Sequence, residues 1–340
     1  MRQSLYKLYP TMVDLVLEAA LQEAVSGGAA DGGGVRPPRL AEALLHAVFP
    51  GGARVRPRLC LEAARACGAS RELAHAAACS VELLHCASLV HDDLPCFDDA
   101  ATRRGRPTVH RVYGEAMAVL VGDALIVASF EVLTLALAKR PDLGMAPMLV
   151  LLRAAGAREG LVAGQAWELE DDVDLAAYHR GKTASLFEAA ATLGALVAGG
   201  SAASAQSFAA FGRAFGMAYQ VADDVADVLA DPVTLGKPTG RDHALARPSA
   251  MRGVESPEAA LAVLERAAAD TVDSIPVGEG DAQRDLRSFV DAVFGALSAR
   301  LRPRPTALAA EDSEGYPGRS NGQIPDPRRR LPRLREDLPG

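Results

Sequence analysis

From Arg58 to Leu301 alanine, leucine and valine recur at three- and four-residue spacing, and each run stops at a Gly, Pro or Ser-rich point. The pattern predicts helices at about 58–67, 71–93, 110–139, 145–170, 183–199, 205–230, 256–273 and 283–301. Two more are expected upstream: 11–25, with Val13, Leu17, Leu21 and Val25 in helical register, and 39–49, stopped by Pro50-Gly51-Gly52. The Gly-rich stretch 27–38 reads as a loop. No segment shows the two-residue alternation of a strand followed by a hairpin turn, and no unit repeats with a period of 20 to 50 residues. The residues are 49% hydrophobic and only 5% aromatic, a composition that packs helix on helix rather than sheet. The expected class is all-α, with one domain over 1–302. The Pro/Arg/acid-rich tail 303–340 lacks apolar periodicity and reads as disordered.

A formal net charge of −7 argues against a broad nucleic-acid surface. Cys60, Cys67, Cys79, Cys86 and Cys96 are odd in number and contain no CxxC pair, so buried reduced thiols are expected rather than disulfides or a zinc site. No secretory signal is visible, and the apolar segment 116–129 is interrupted by Asp123, so no membrane span is expected and the location reads as cytoplasmic.

Against this apolar background stand two acidic segments. The first, His91-Asp92-Asp93-Leu94-Pro95-Cys96-Phe97-Asp98-Asp99, ends a strongly apolar helix and places four carboxylates within eight residues. Carboxylates crowded at a helix C-terminus repel each other and oppose the helix dipole. A hard divalent cation with oxygen ligands, such as Mg²⁺, removes both penalties. Pro95 makes a continued helix unfavourable, and a turn there brings Asp98 back towards Asp92. The second segment is Gln220-Val221-Ala222-Asp223-Asp224-Val225-Ala226-Asp227, in which Asp223 and Asp227 share one helix face with Gln220 a turn earlier. Either segment taken alone also reads as a solvated acidic surface. The second lacks any Lys or Arg between Arg213 and Lys237, which favours a metal over an exposed mixed-charge face.

Basic residues accompany these acids: Arg103, Arg104 and Arg106 directly after the first segment, Arg54 and Arg56 in a Gly/Pro turn, and Lys182 and Lys237 beside glycines. Arginine grips phosphate as a bidentate fork and lysine as a point charge. Two acidic helix ends, cations and an apolar interior suggest a cavity whose mouth takes a metal-chelating anion such as a diphosphate and whose depth takes hydrocarbon.

The motifs GGARVRP, ELLHCASLVHDDLPCFDDAATRRGRPTVH, LVGDALI, HRGKTASL, YQVADDVADV and LGKPTGRD, in this order between about Gly51 and Asp242, resemble the trans-isoprenyl diphosphate synthases, especially bacterial geranylgeranyl diphosphate synthases of carotenoid pathways. The resemblance implies an isoprenoid-synthase-type bundle of antiparallel helices around a central cavity, usually a homodimer. It implies that Asp92, Asp98, Asp223 and Asp227 bind about three Mg²⁺ ions, with Asp93 and Asp224 beside them. Arg103, Lys182 and Lys237, with Thr183 next to Lys182, would hold an allylic diphosphate (dimethylallyl, geranyl or farnesyl). Arg56, His85 and Arg104 would hold isopentenyl diphosphate, and Gln220 would lie near the reacting centre. The family usually has Lys where this chain has Ala53, a loss that either weakens the isopentenyl diphosphate site or is compensated by Arg54. Ala87 and Ser88, at and beside a position where an aromatic stops growth at C15 in the family, imply a C20 product. The rivals are a farnesyl or longer-chain synthase, a terpene cyclase and a non-catalytic partner subunit.

Overall fold

Alanine-rich helices approach one another closely, and the computed structural model is accordingly a helix bundle. It describes residues 15, 16, 18, 19, 22, 37–229, 256–276 and 281–301. The helices are α1 (Pro38–Val48), α2 (Val55–Ala66), α3 (Arg71–Asp92), α4 (Val109–Tyr113), α5 (Glu115–Ala138), α6 (Ala146–Ala155), α7 (Leu161–Ala166), α8 (Leu175–His179), α9 (Ser185–Val197), α10 (Ala202–Leu229), α11 (Pro257–Asp273) and α12 (Asp281–Leu301). Of the expected 11–25 helix, positions 15, 16, 18, 19 and 22 are helical. The rest of it, the loop 27–36 and the tail 303–340 lie outside the described residues.

Helix α9 is the hub. It packs against α2, α3, α6 and α10, and most of its thirteen residues are buried. Its small side chains explain the fit: a Cβ on Gly194 would meet the Cys60 carbonyl oxygen at 2.6 Å, so the approach of α2 requires bare backbone there. Aromatics from three helices close the layer behind. Phe215 of α10 lies within 5.1–5.7 Å of Phe187, Phe289 and Phe294, ring centre to ring centre, and burying each such ring contributes about 1.5–3 kcal/mol. Helix α3 is capped by Ser70, whose hydroxyl accepts from the Leu73 amide at 3.4 Å. It packs along α5 and leads the first acidic segment to the rim of the bundle.

The structure corrects several boundaries. The expected 110–139 helix is broken at Gly114, which sits at φ 91°, a conformation glycine tolerates and a helix does not. The expected 145–170 helix is interrupted between Ala155 and Leu161 and ends in a 3₁₀ turn, Trp167–Leu169. The expected 183–199 helix is entered through a π-helical turn, Arg180–Ala184. One short hairpin occurs where none is expected: β1 (Thr102–Arg103) pairs antiparallel with β2 (Arg106–Pro107). Cys60, Cys79 and Cys86 are buried free thiols, whereas Cys67 is half-buried and Cys96 exposed. Burial raises the Cys79 thiol to about 12 and the Cys86 thiol to about 11.

By length and composition alone α3 and α5 are both long and apolar enough to cross a membrane, although each carries acidic residues within it, Glu82 in α3 and Asp123 and Glu131 in α5. The apolar window of α3 is 72% buried within the bundle, as a core helix requires; that of α5 is 39% buried.

Candidate active site

A cavity of about 760 Å³ opens between α2, α3, α7, the hairpin and α10. Asp92, Asp98 and Asp223 all line it, together with Arg56, His85, Arg103, Arg104, Lys182, Thr183 and Gln220. Its apolar wall includes Ala87, Phe97, Ile126, Leu161 and Val162, with Ser88 next to Ala87. The two acidic segments therefore face one hollow.

Local structure places each acid. Helix α3 stops at Asp92, and the turn through Pro95 lets the Asp98 amide donate to the Asp92 carbonyl at 2.9 Å. Asp92 and Asp98 thus sit side by side, each with a carboxylate oxygen 4.0 Å from Arg103 Nη2. Burial, reinforced by Asp98, raises the Asp92 carboxyl above its ordinary value, while Lys182 and Arg103 pull the other way. Among the described residues no three acid or imidazole groups already converge at metal-binding spacing. The donor set nonetheless suits a hard cation: oxygen ligands only, in a site where neighbouring carboxylates are held at a cost that positive charge would relieve.

The second member of each Asp pair is turned away from the hollow. Asp93 is buried and accepts from Arg103 Nε and Nη2 at 2.9 and 2.5 Å. Burial holds its carboxyl above the ordinary range even against that cation. Asp224 is buried as well, accepts from Gln220 Nε2 at 2.7 Å, and lies 3.7 Å from His179 Nε2. Burial pushes the His179 imidazole down to about 4, so it is neutral at pH 7. Asp227 lies one turn after Asp223 on α10, but its side chain and all of Lys237 fall outside the described residues.

The cations divide too. Arg54 Nη1 donates to Glu82 at 2.5 Å and its Nη2 to the Val48 carbonyl at 2.6 Å, with both side chains of the ion pair almost fully buried. Arg54 also lines the cavity, beside Ala53. Arg56 stacks 4.3 Å over the Phe187 ring, and its buried Nε has no hydrogen-bond partner. Burial lowers its pKa. Among the described residues neither Arg56 nor Arg104 has a carboxylate partner, so both are available to an anion. His85 Nε2 lies 3.5 Å from Arg56 Nη1. Arginine can only donate, so this nitrogen is the acceptor and the proton sits on Nδ1. Burial and Arg56 depress this imidazole strongly, keeping it neutral.

Sequence reasoning missed the group that positions Lys182. Glu168 accepts from Lys182 Nζ at 2.5 Å and from the Tyr178 hydroxyl at 2.6 Å, while Lys182 reaches Asp92 at 3.4 Å. The π-helical turn projects Lys182 into the cavity. A Cβ on Gly164 would lie 2.0 Å from the Lys182 amide nitrogen, so only glycine lets α7 approach that turn. Nothing in the local pattern ties Glu168 to a lysine fourteen residues later. The Thr183 hydroxyl donates to Gln220, joining the π-helical turn to α10 beside the second Asp pair.

The polyprenyl synthetase family model matches residues 37–265. A geranylgeranyl diphosphate synthase of Cereibacter sphaeroides is 47% identical over 289 residues, covering 84% of this chain and 98% of its own. Another, of Rhodobacter capsulatus, is 45% identical over 274 residues, with 80% and 92% covered. Among solved structures, a geranylgeranyl pyrophosphate synthetase of Pyrococcus horikoshii superposes with a TM-score of 0.67 at 27% identity, covering 82% of this chain and 95% of that one. A Helicobacter pylori geranyltransferase, solved with magnesium and isoprenyl diphosphate, gives 0.64 at 29%, covering 85% and 97%. The all-α bundle, the shared cavity and these likenesses agree: the chain belongs to the polyprenyl synthetase family, magnesium-dependent prenyltransferases that act on isoprenyl diphosphates.

Proposed function

We propose that this chain condenses isopentenyl diphosphate head-to-tail with an allylic diphosphate to give geranylgeranyl diphosphate, a precursor class used in carotenoid biosynthesis. The observation that carries the reading is the pairing of three carboxylates and two unneutralised arginines at one cavity with a small-residue apolar wall. Asp92, Asp98, Asp223 and Asp227 would hold the metal, in our reading about three Mg²⁺ ions per site. Bound magnesium supplies the charge that makes the allylic diphosphate a leaving group. Arg103, Lys182 and Lys237 orient that diphosphate, with Thr183 and Gln220 beside the reacting carbon. Arg56, His85 and Arg104 hold isopentenyl diphosphate so that its double bond meets C1 of the allylic partner. The released diphosphate, still held by the cations, takes the final proton, and neutral His85 serves as a hydrogen-bond donor rather than a base.

Chain length follows from the wall. Ala87 is buried and lines the cavity with Ser88, leaving space that an aromatic would fill. Purified protein with farnesyl and isopentenyl diphosphates and Mg²⁺ should yield a C20 product by chromatography, and Ala87→Tyr should shift it towards C15. Absence of condensation would favour a non-catalytic partner subunit, and a C20 product from Ala87→Tyr would remove the wall assignment.

We also read the enzyme as a homodimer. Leu120, Val127 and Leu135 of α5 and Leu149 of α6 are 46–64% exposed, an apolar face of the kind a second copy covers. A monomeric mass by analytical ultracentrifugation at micromolar concentration would overturn this. Five free cysteines suit a reducing compartment, which favours the cytoplasm.

A further inference from the structure

The β1–β2 hairpin is a two-residue connection in which Thr102 faces Pro107 and Arg103 faces Arg106, leaving Arg104 and Gly105 as the turn. Both turn residues have positive φ, 54° and 74°, the signature of a type I′ turn. Glycine accepts that conformation freely; Arg104 does not. Two residues per strand do not sustain a hairpin in water, so its position must be imposed from outside. On the side facing the end of α1 a crevice of about 40 Å³ lies between the hairpin and the bundle.

Hydrogen bonds span that crevice. Arg106 Nη1 donates to the Phe49 carbonyl at 2.7 Å, and Arg106 Nη2 lies 3.1 Å from His46 Nδ1. His46 Nε2 lies 2.8 Å from the Pro107 carbonyl oxygen. The partners fix the imidazole: a carbonyl only accepts and a guanidinium only donates, so Nε2 carries the proton and Nδ1 the lone pair. His46 is further held edge-on against Tyr113, ring centres 5.6 Å apart. This clamp ties β2 to Phe49, two residues before the loop over which the Arg104 side chain lies. A Cβ on Gly52 would meet Arg104 Nε at 2.9 Å, so Arg104 rests directly on that backbone. The other strand has a separate anchor, Arg103 on Asp93.

We propose that His46 and Arg106 are positioning residues that set the place of Arg104, and thereby the affinity for the isopentenyl diphosphate half of the reaction, without governing the allylic half. The inference rests on the assignment of Arg104 made under the proposed function. Because Arg103 keeps its own anchor, loosening β2 should separate the two substrates.

The experiment uses the full chain. His46→Phe keeps the ring against Tyr113 and removes both hydrogen bonds. Arg106→Met removes the other side of the clamp, and Arg106→Gln replaces it should that variant fail to fold. Each should raise KM for isopentenyl diphosphate about three- to tenfold, the net worth of one or two hydrogen bonds. The Kd for isopentenyl diphosphate by calorimetry should weaken in parallel. The KM for farnesyl diphosphate and kcat should hold, and the double variant should be no worse than either single one. His46→Gln, whose amide offers one donor and one acceptor, should recover most of the loss. An equal rise in both KM values, a fall in kcat with KM unchanged, or no change in Kd would each overturn the inference. Should the wild type bind isopentenyl diphosphate yet not condense it, the proposed reaction fails while the calorimetric comparison still decides the clamp.

Discussion

The two aspartate pairs solve one problem with different backbones. Asp92-Asp93 ends a helix, and the chain turns at Pro95 to return Asp98 beside Asp92. Asp223-Asp224 lies within α10, which runs on past Asp227. In both, the first Asp faces the cavity and the second is buried in its wall. The buried members have unlike partners: Asp93 binds a permanent cation, Arg103, whereas Asp224 accepts from neutral Gln220 and lies near neutral His179. The lesson is a division of labour. Two adjacent carboxylates on a helix are about 100° apart, so both cannot serve one cation equally, and the second is used to hold the cavity wall.

The largest losses belong to the cavity-facing members. Asp92→Asn and Asp223→Asn should each lower kcat about 10³-fold, the equivalent of roughly 4 kcal/mol of charge stabilisation. Added Mg²⁺ should raise the Tm of the wild type more than that of either variant. If either variant keeps wild-type turnover, its segment does not hold the metal. The buried members should be unequal. Asp93→Asn removes the carboxylate that Arg103 grips most closely, leaves it only Asp92 and Asp98 at 4.0 Å, and should cost about 10- to 100-fold. Asp224→Asn retains an acceptor for Gln220 and should cost less than about tenfold on the same scale. Equal losses would remove the distinction drawn here.

The smallest effect concerns stability. His179 titrates at about 4 in the folded protein against an ordinary 6.5. Between those values the unfolded chain takes a proton that the folded one refuses, so stability falls as pH drops from 6.5 towards 4 and is unaffected above 6.5. The full cost is on the order of 3 kcal/mol. His179→Asn should remove this part of the pH dependence, measured by urea unfolding at pH 7, 6 and 5. Parallel slopes for wild type and variant would show that His179 is not the group responsible. Arg103 at the first pair remains charged throughout and offers no such handle.

The main helices were legible because burial of an alanine- and leucine-rich face imposes a period that shows in the residues themselves. Their breaks were less so: the stretch 110–139 contains no proline, and the positive φ at Gly114 divides it. The 102–107 hairpin escaped notice because two-residue strands carry no alternation to read. At the site, the turn at Pro95 follows from proline's missing amide hydrogen, and the shared face of Asp223 and Asp227 follows from helical geometry. The capture of Arg54 by Glu82, 28 residues away, and of Lys182 by Glu168 had no local signature.

By itself, then, the sequence determined an all-helical chain, two acidic segments and the stock of cations around them, because these depend on interactions within a few residues. Only the tertiary structure decided which carboxylate of each pair looks into the cavity, which arginines stay free for an anion, and what holds the hairpin in place. Those outcomes depend on where helices cross and where they break, and a shift of one residue turns a side chain by about 100°.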